Sequence, residues 1–155
     1  MFASDLAMEM LPNIHILGML TVLFTALFRL KALIPIYVYV FLTGLFYGFA
    51  IWWVAYLYIW LPLWGLAMLV PRRAPAWLAC IVYPVITCLH GLFFGVLYAP
   101  AQALFFRLTL EETIAWIGAG LVFDVVHAIG NLAAGLLVYP LRELLSKMLK
   151  RVGYY

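Results

Sequence analysis

Charge is what this chain has least of. Of its 155 residues only 10% are Asp, Glu, Lys or Arg, and 69% are hydrophobic. A water-soluble domain is about a quarter charged and a little under half apolar. So small a polar fraction cannot cover a folded chain in water, which excludes an ordinary soluble enzyme or binding domain. What remains is an all-α integral membrane protein, one domain over residues 1–155. Cysteine is nearly absent: Cys80 and Cys88 are the only two, within one apolar segment. That excludes a disulfide framework, and their spacing suits no metal, so they read as small apolar core residues. HExxH, GxSxG and P-loop patterns are missing. The expectation is therefore no enzyme, no catalytic residues, no metal and no cofactor, with any ATP-driven step left to partner subunits. The opening "MFASDLAMEMLPNIH" has no basic n-region, so it is not a signal peptide. The net charge of +3 comes from basic residues scattered in short clusters, which is not a nucleic-acid signature.

Long apolar runs are what the sequence does have. A spanning helix needs about 20 apolar residues, because the hydrocarbon core is roughly 30 Å thick. Leu11 to Phe28 is one run, closed by Arg29 and Lys31. From Ala32 to Val70 no residue is charged. As a single helix that stretch would be about 58 Å long, nearly twice the bilayer. It must hold two crossings, with the turn near Gly44 and Gly48, where Trp52 and Trp53 suit an interface. "PRRAP" (71–75) is a proline-bracketed loop, and Ala76 to Tyr98 is the next run, ended at Ala99-Pro100. Another goes from Thr113 to Tyr139, long enough to tilt or bend near Gly130. The reading is a bundle of five transmembrane helices at about 11–28, 32–48, 51–70, 76–98 and 113–139, with a basic amphipathic tail at 141–155.

Threading five helices puts Arg29, Lys31, Arg72, Arg73, Arg142, Lys147, Lys150 and Arg151 on one side and only Arg107 on the other, beside Asp5, Glu9, Glu111 and Glu112. Basic residues favour the cytoplasmic side. The expectation is a multi-pass protein of the cell membrane, its N-terminus outside and its C-terminus in the cytoplasm. Asp5, Glu9 and Pro12 read like the outer mouth of a helix hairpin whose first arm is missing or shortened, which points to six helices with both ends inside.

Polar groups within such runs are informative, because each costs a few kcal/mol at membrane depth and tends to face the bundle interior or a cavity. "FDVVHAIGNLAAG" (123–135) carries Asp124, His127 and Asn131, at spacings of three, four and seven. Those positions share one helix face, so Asp124 and His127 can pair and Asn131 extends the stripe. Such a stripe serves either to fix helix packing or to form a ligand site. Asn13 and His15 on the first run, Trp53 and Tyr56 on the third, His90, Tyr98 and Gln102 on or just past the fourth, and Trp116 on the fifth fall toward the outer half. Each alone has a structural explanation. Their convergence at one level describes an apolar pocket with a few polar groups, the form of a small-molecule site. Gly44/Gly48 and Gly91/Gly95 are GxxxG pairs and mark close helix contacts.

"EETIAW" (111–116), with the Phe123–His127 and His127–Asn131 spacings, resembles the motifs of CPBP-type intramembrane proteases. The match fails, because Trp116 stands where that family carries arginine and one His127 would have to serve two histidine motifs. A closer likeness covers about Leu11 to Leu145. "LPNIHILGML", "ALIPIYVYVFLTGLFYGF", "WWVAYLYIWLPLWGLAMLVPRR", "LHGLFFGVLYAPAQAL" and above all "FDVVHAIGNLAAGLLVYPL" resemble the substrate-binding S components of energy-coupling factor (ECF) transporters. That resemblance implies a six-helix protein with both ends cytoplasmic, binding a vitamin or other small-molecule micronutrient near its outer face. Its partners would be membrane lipid, a transmembrane coupling protein and a pair of cytoplasmic ATPases. The expected substrate site is Asn13, His15, Trp53, Tyr56, His90, Tyr98, Gln102, Asp124, His127 and Asn131. The competing expectations are a packing or assembly protein whose polar stripe is purely structural and, behind it, a CPBP-like intramembrane protease in which Glu111 and Glu112 would be essential.

Overall fold

The structure, a computed structural model, describes residues 1–10 and 15–153. The regular structure of the described residues is all helical, with no strand among them. The elements are α1 (Phe2–Ala7), α2 (Leu17–Phe28), a 3-10 turn (Arg29–Ala32), α3 (Leu33–Tyr47), α4 (Ile51–Leu69), α5 (Ala76–Leu92), α6 (Phe94–Phe106), α7 (Leu110–Gly135) and α8 (Val138–Arg151). Four helical segments are long and apolar enough to cross a membrane: Leu17–Tyr47, Ile51–Leu69, Ala76–Phe106 and Leu110–Gly135.

Two of these segments are interrupted. In Leu17–Tyr47 the break is at Arg29, whose φ of 57° and ψ of −122° are unusual for a residue with a side chain. The guanidinium holds that conformation by donating to the carbonyls of Val70 (2.9 Å) and Met68 at the end of α4. The end of α2 is thereby pinned to the end of α4, while Leu17, at its start, packs in one cluster with Ile36, Tyr39, Ile59 and Trp60. So α2 and α3 run in opposite directions. With 12 residues, α2 is about 18 Å long and reaches only part-way through a bilayer-sized bundle. Of the expected first crossing over 11–28, residues 11–14 lie outside the described residues, and α2 accounts for Leu17–Phe28. The turn expected in the charge-free run is present, and Gly48 makes it with φ 92°, a conformation open to glycine.

The second interruption lies at Phe93, between α5 and α6. The expected stop at Ala99-Pro100 does not occur, and the helix continues to Phe106. Pro100 removes a backbone donor and crowds the preceding turn, and Tyr58 bonds the Ala101 N–H beside it at 3.3 Å. α7 starts three residues earlier than expected because Thr109 and Glu112 form a capping box. It runs as one helix through Gly130 and ends at Gly135, short of the expected Tyr139, which falls in α8.

The core has two parts. Met19, Val22, Leu23, Leu63, Ala79, Tyr83 and Val138 form one, toward the end that carries Arg29, Arg72 and Arg142. Tyr39, Ile59 and Trp60 centre the other. α5 and α7 make the most extensive helix contact. Cys80 is exposed on the same side of α5 as Trp77 and Ile81, which corrects its reading as a core residue.

Candidate functional site

Asp124, His127 and Asn131 lie on the face of α7 that meets α5 and α6, and all three are buried. The helical spacing thus places them as the sequence implied, but their partners differ from expectation. Both carboxylate oxygens of Asp124 accept from the Gly95 backbone N–H, at 3.2 and 3.1 Å. Gly95 is the second residue of α6, and the discontinuity at Phe93 leaves its N–H without a carbonyl in its own helix. Asp124 therefore caps α6 from a neighbouring helix, where a negative charge also complements the helix dipole. The expected Asp124–His127 pair is corrected to this contact.

His127 instead meets His15, their Nε2 atoms 2.7 Å apart and their rings edge to face at 4.5 Å. One ring must donate and the other accept, so the two take complementary tautomers. This contact closes the start of α2 against the middle of α7. Asn131 is wedged between two glycines: a Cβ on Gly18 would lie 3.2 Å from its Oδ1, and one on Gly91 would lie 2.9 Å from its Nδ2. Thr87 donates to the Asn131 carbonyl at 3.0 Å. The Gly91/Gly95 pair is a site of close approach, as the spacing implied: a Cβ at Gly91 would stand 2.8 Å from the Ala128 nitrogen.

Beside this stripe, α6 and α7 form a groove of about 480 Å³. Tyr98, Gln102, Asp124 and His127 line it together with Phe94 and Trp116. The Tyr98 and Trp116 rings stack at 6.0 Å with 25° between their planes. Phe94 packs on His127, centroids 4.7 Å apart. Apolar faces thus flank one amide, one carboxylate and one imidazole.

The remaining expected residues are placed elsewhere. Trp53 Nε1 donates to the Val40 carbonyl at 2.7 Å and ties α3 to α4. Tyr56 sits among Tyr39, Trp52 and Trp60. His90 stacks on Trp60 at 5.5 Å, and its Nε2 donates to the Ile59 carbonyl at 3.0 Å. His90 also lines a smaller apolar recess with Pro62, Leu63 and Leu97. Asn13 lies outside the described residues. The structure therefore gathers four of the expected residues at the groove, with His15 behind His127, and sends Trp53, Tyr56 and His90 into aromatic packing. Phe94 and Gly120, which also line the groove, carry no polar atom on the side chain and left no signal in the sequence.

Several buried polar atoms have no hydrogen-bond partner among the described residues: His15 Nδ1, His90 Nδ1, Trp60 Nε1 and both side-chain atoms of Asn131. Such atoms each cost about 1–3 kcal/mol when left unsatisfied, and those of His15 and Asn131 lie at the stripe itself. Outside the apolar segments, the Asp5 carboxyl, to which Tyr39 donates at 3.3 Å, is pushed above the usual carboxylate range by burial. No family model matches the chain, and no curated protein or solved structure matches it either.

Proposed function

We propose that the chain is a membrane-embedded, non-catalytic subunit that binds a small molecule in the groove between α6 and α7, of the kind that ECF S components represent. In this reading α3, α4, the α5–α6 pair and α7 cross the membrane, and α2 lines the bundle over its cytoplasmic part as the remainder of a fifth crossing. The end bearing Arg29, Arg72, Arg73 and Arg142 faces the cytoplasm, and the end near Arg107, Glu111 and Glu112 faces out. The ligand is flat and heterocyclic, a micronutrient by class. It stacks on Trp116 and Tyr98 and is oriented by Gln102, Asp124 and His127. A separate coupling protein and ATPase pair supply the work of uptake.

The observation that carries this reading is the groove itself. It places a stacked aromatic pair, an amide, a carboxylate and an imidazole around one concave, otherwise apolar space. A second reading has its own support, since Asp124 caps α6 and Asn131 fills the space between Gly18 and Gly91. In that reading the stripe is a brace and nothing binds. Thermal unfolding of the purified chain against a library of flat heterocyclic micronutrients separates the two. The binding reading expects stabilisation by one class of compound, with Trp116→Ala and Gln102→Ala each weakening it about tenfold. A library that stabilises neither parent nor variants favours the brace.

A further inference from the structure

A second cavity, of about 450 Å³, lies at the opposite end from Arg107, between the 70–75 turn and α8. Its wall carries Arg72, Arg73, Arg142 and Lys150 against one acidic side chain, Glu143, with Ala26 and Leu27 of α2 as an apolar floor. Arg142 is built into the wall: one guanidinium nitrogen donates to the Arg72 carbonyl and ties α8 to the turn. The other, Nη1, is buried, makes no hydrogen bond to a described residue and stands 3.9 Å from the Glu143 carboxylate. Arg142 therefore braces the wall and adds to its positive field, while the exposed side chains of Arg72, Arg73 and Lys150 are the ones placed to reach a tetrahedral anion in the cavity. The setting also fits an amphiphile. α8 lays Leu141, Leu145 and Leu149 on the core while Leu144 and Met148 remain exposed beside the basic residues.

We infer that this cavity is a binding site for a phosphate group, carried by an anionic lipid headgroup or by a soluble phosphorylated molecule. The site shares no residue with the α6–α7 groove, so it stands or falls apart from the ligand reading, and it rests only on the chain being membrane-embedded. The lipid source would make the cavity an anchor that holds α8 at the headgroup level. The soluble source would make it an effector or counter-ion site at the cytoplasmic end.

The test uses the full chain in neutral detergent and measures binding of phosphatidylglycerol, phosphatidylcholine and inorganic pyrophosphate by native mass spectrometry. The parent is compared with the Arg73→Gln/Lys150→Gln double variant and each single variant. These two side chains are exposed, so the fold should survive their loss, and matching melting temperatures check that it does. The expectation is retention of phosphatidylglycerol over phosphatidylcholine, weakened about 30-fold in the double variant. Pyrophosphate competing with the lipid identifies a site that takes phosphate from either source. Phosphatidylglycerol alone identifies the lipid, and pyrophosphate alone the soluble anion. Equal retention of both lipids with no pyrophosphate bound overturns the site, as does binding that the variants leave unchanged. Alkaline carbonate extraction of the same membranes shows separately whether the chain is embedded.

Discussion

Replacing Asp124 tests the account at its most informative point, because the two simplest substitutions have different consequences. Asp124→Ala removes the only acceptor shown for the Gly95 N–H, which is buried where α6 begins. A buried donor left unpaired costs about 1–3 kcal/mol, and loss of the charge at a helix N-terminus adds some tenths more. At about 2–4 °C per kcal/mol for a chain of this size, the variant should melt roughly 6 °C below the parent. Asp124→Asn keeps an oxygen in the same place for Gly95 and forfeits only the charge, so it should fall by roughly 2 °C. Tryptophan fluorescence on heating in detergent reads both, since the chain has six tryptophans. An Asp124→Ala variant as stable as the parent would show that the cap is not what holds α6. Equal loss in both variants would mean that charge rather than hydrogen bonding is at work.

Gly91→Ala should destabilise by about 1–3 kcal/mol, because its Cβ would press to 2.8 Å against the Ala128 backbone. Gly118→Ala, with nothing within 4 Å, should be neutral or stabilising on the same melting assay. Thr109→Ala removes the hydroxyl of the α7 capping box and should cost about 1 kcal/mol. The readout is earlier amide exchange in the first turn of α7 while its middle stays protected. A double-mutant cycle with His15→Ala and His127→Ala should give a coupling of about 0.5–3 kcal/mol, read from the four melting curves. Additive losses would mean that the two rings do not bond in solution.

The α3–α4 hairpin was legible because 39 uncharged residues are too long for one crossing and Gly48 supplies the turn. The shared face of Asp124, His127 and Asn131 followed from helical spacing alone. Their partners did not follow, because those depend on where other helices break. Pro100 looked like a stop and is not one: α6 carries it in its interior and continues to Phe106. The real discontinuity at Phe93 has no proline to announce it, yet it is what frees Gly95 for Asp124. The His15–His127 contact joins residues 112 positions apart, and no local pattern encodes such a pairing. The shortness of α2 was hidden for a similar reason. Arg29 reads as a charge that closes a helix, whereas its grip on the end of α4 is a tertiary fact.

A small molecule held in the α6–α7 groove should survive gentle purification. Native mass spectrometry of the chain purified from its host membrane measures this most directly, alongside the Trp116→Ala/Gln102→Ala variant prepared identically. The account predicts an adduct of a few hundred daltons on the parent that the variant loses. A bare parent mass, or an adduct that the variant retains in full, would contradict it.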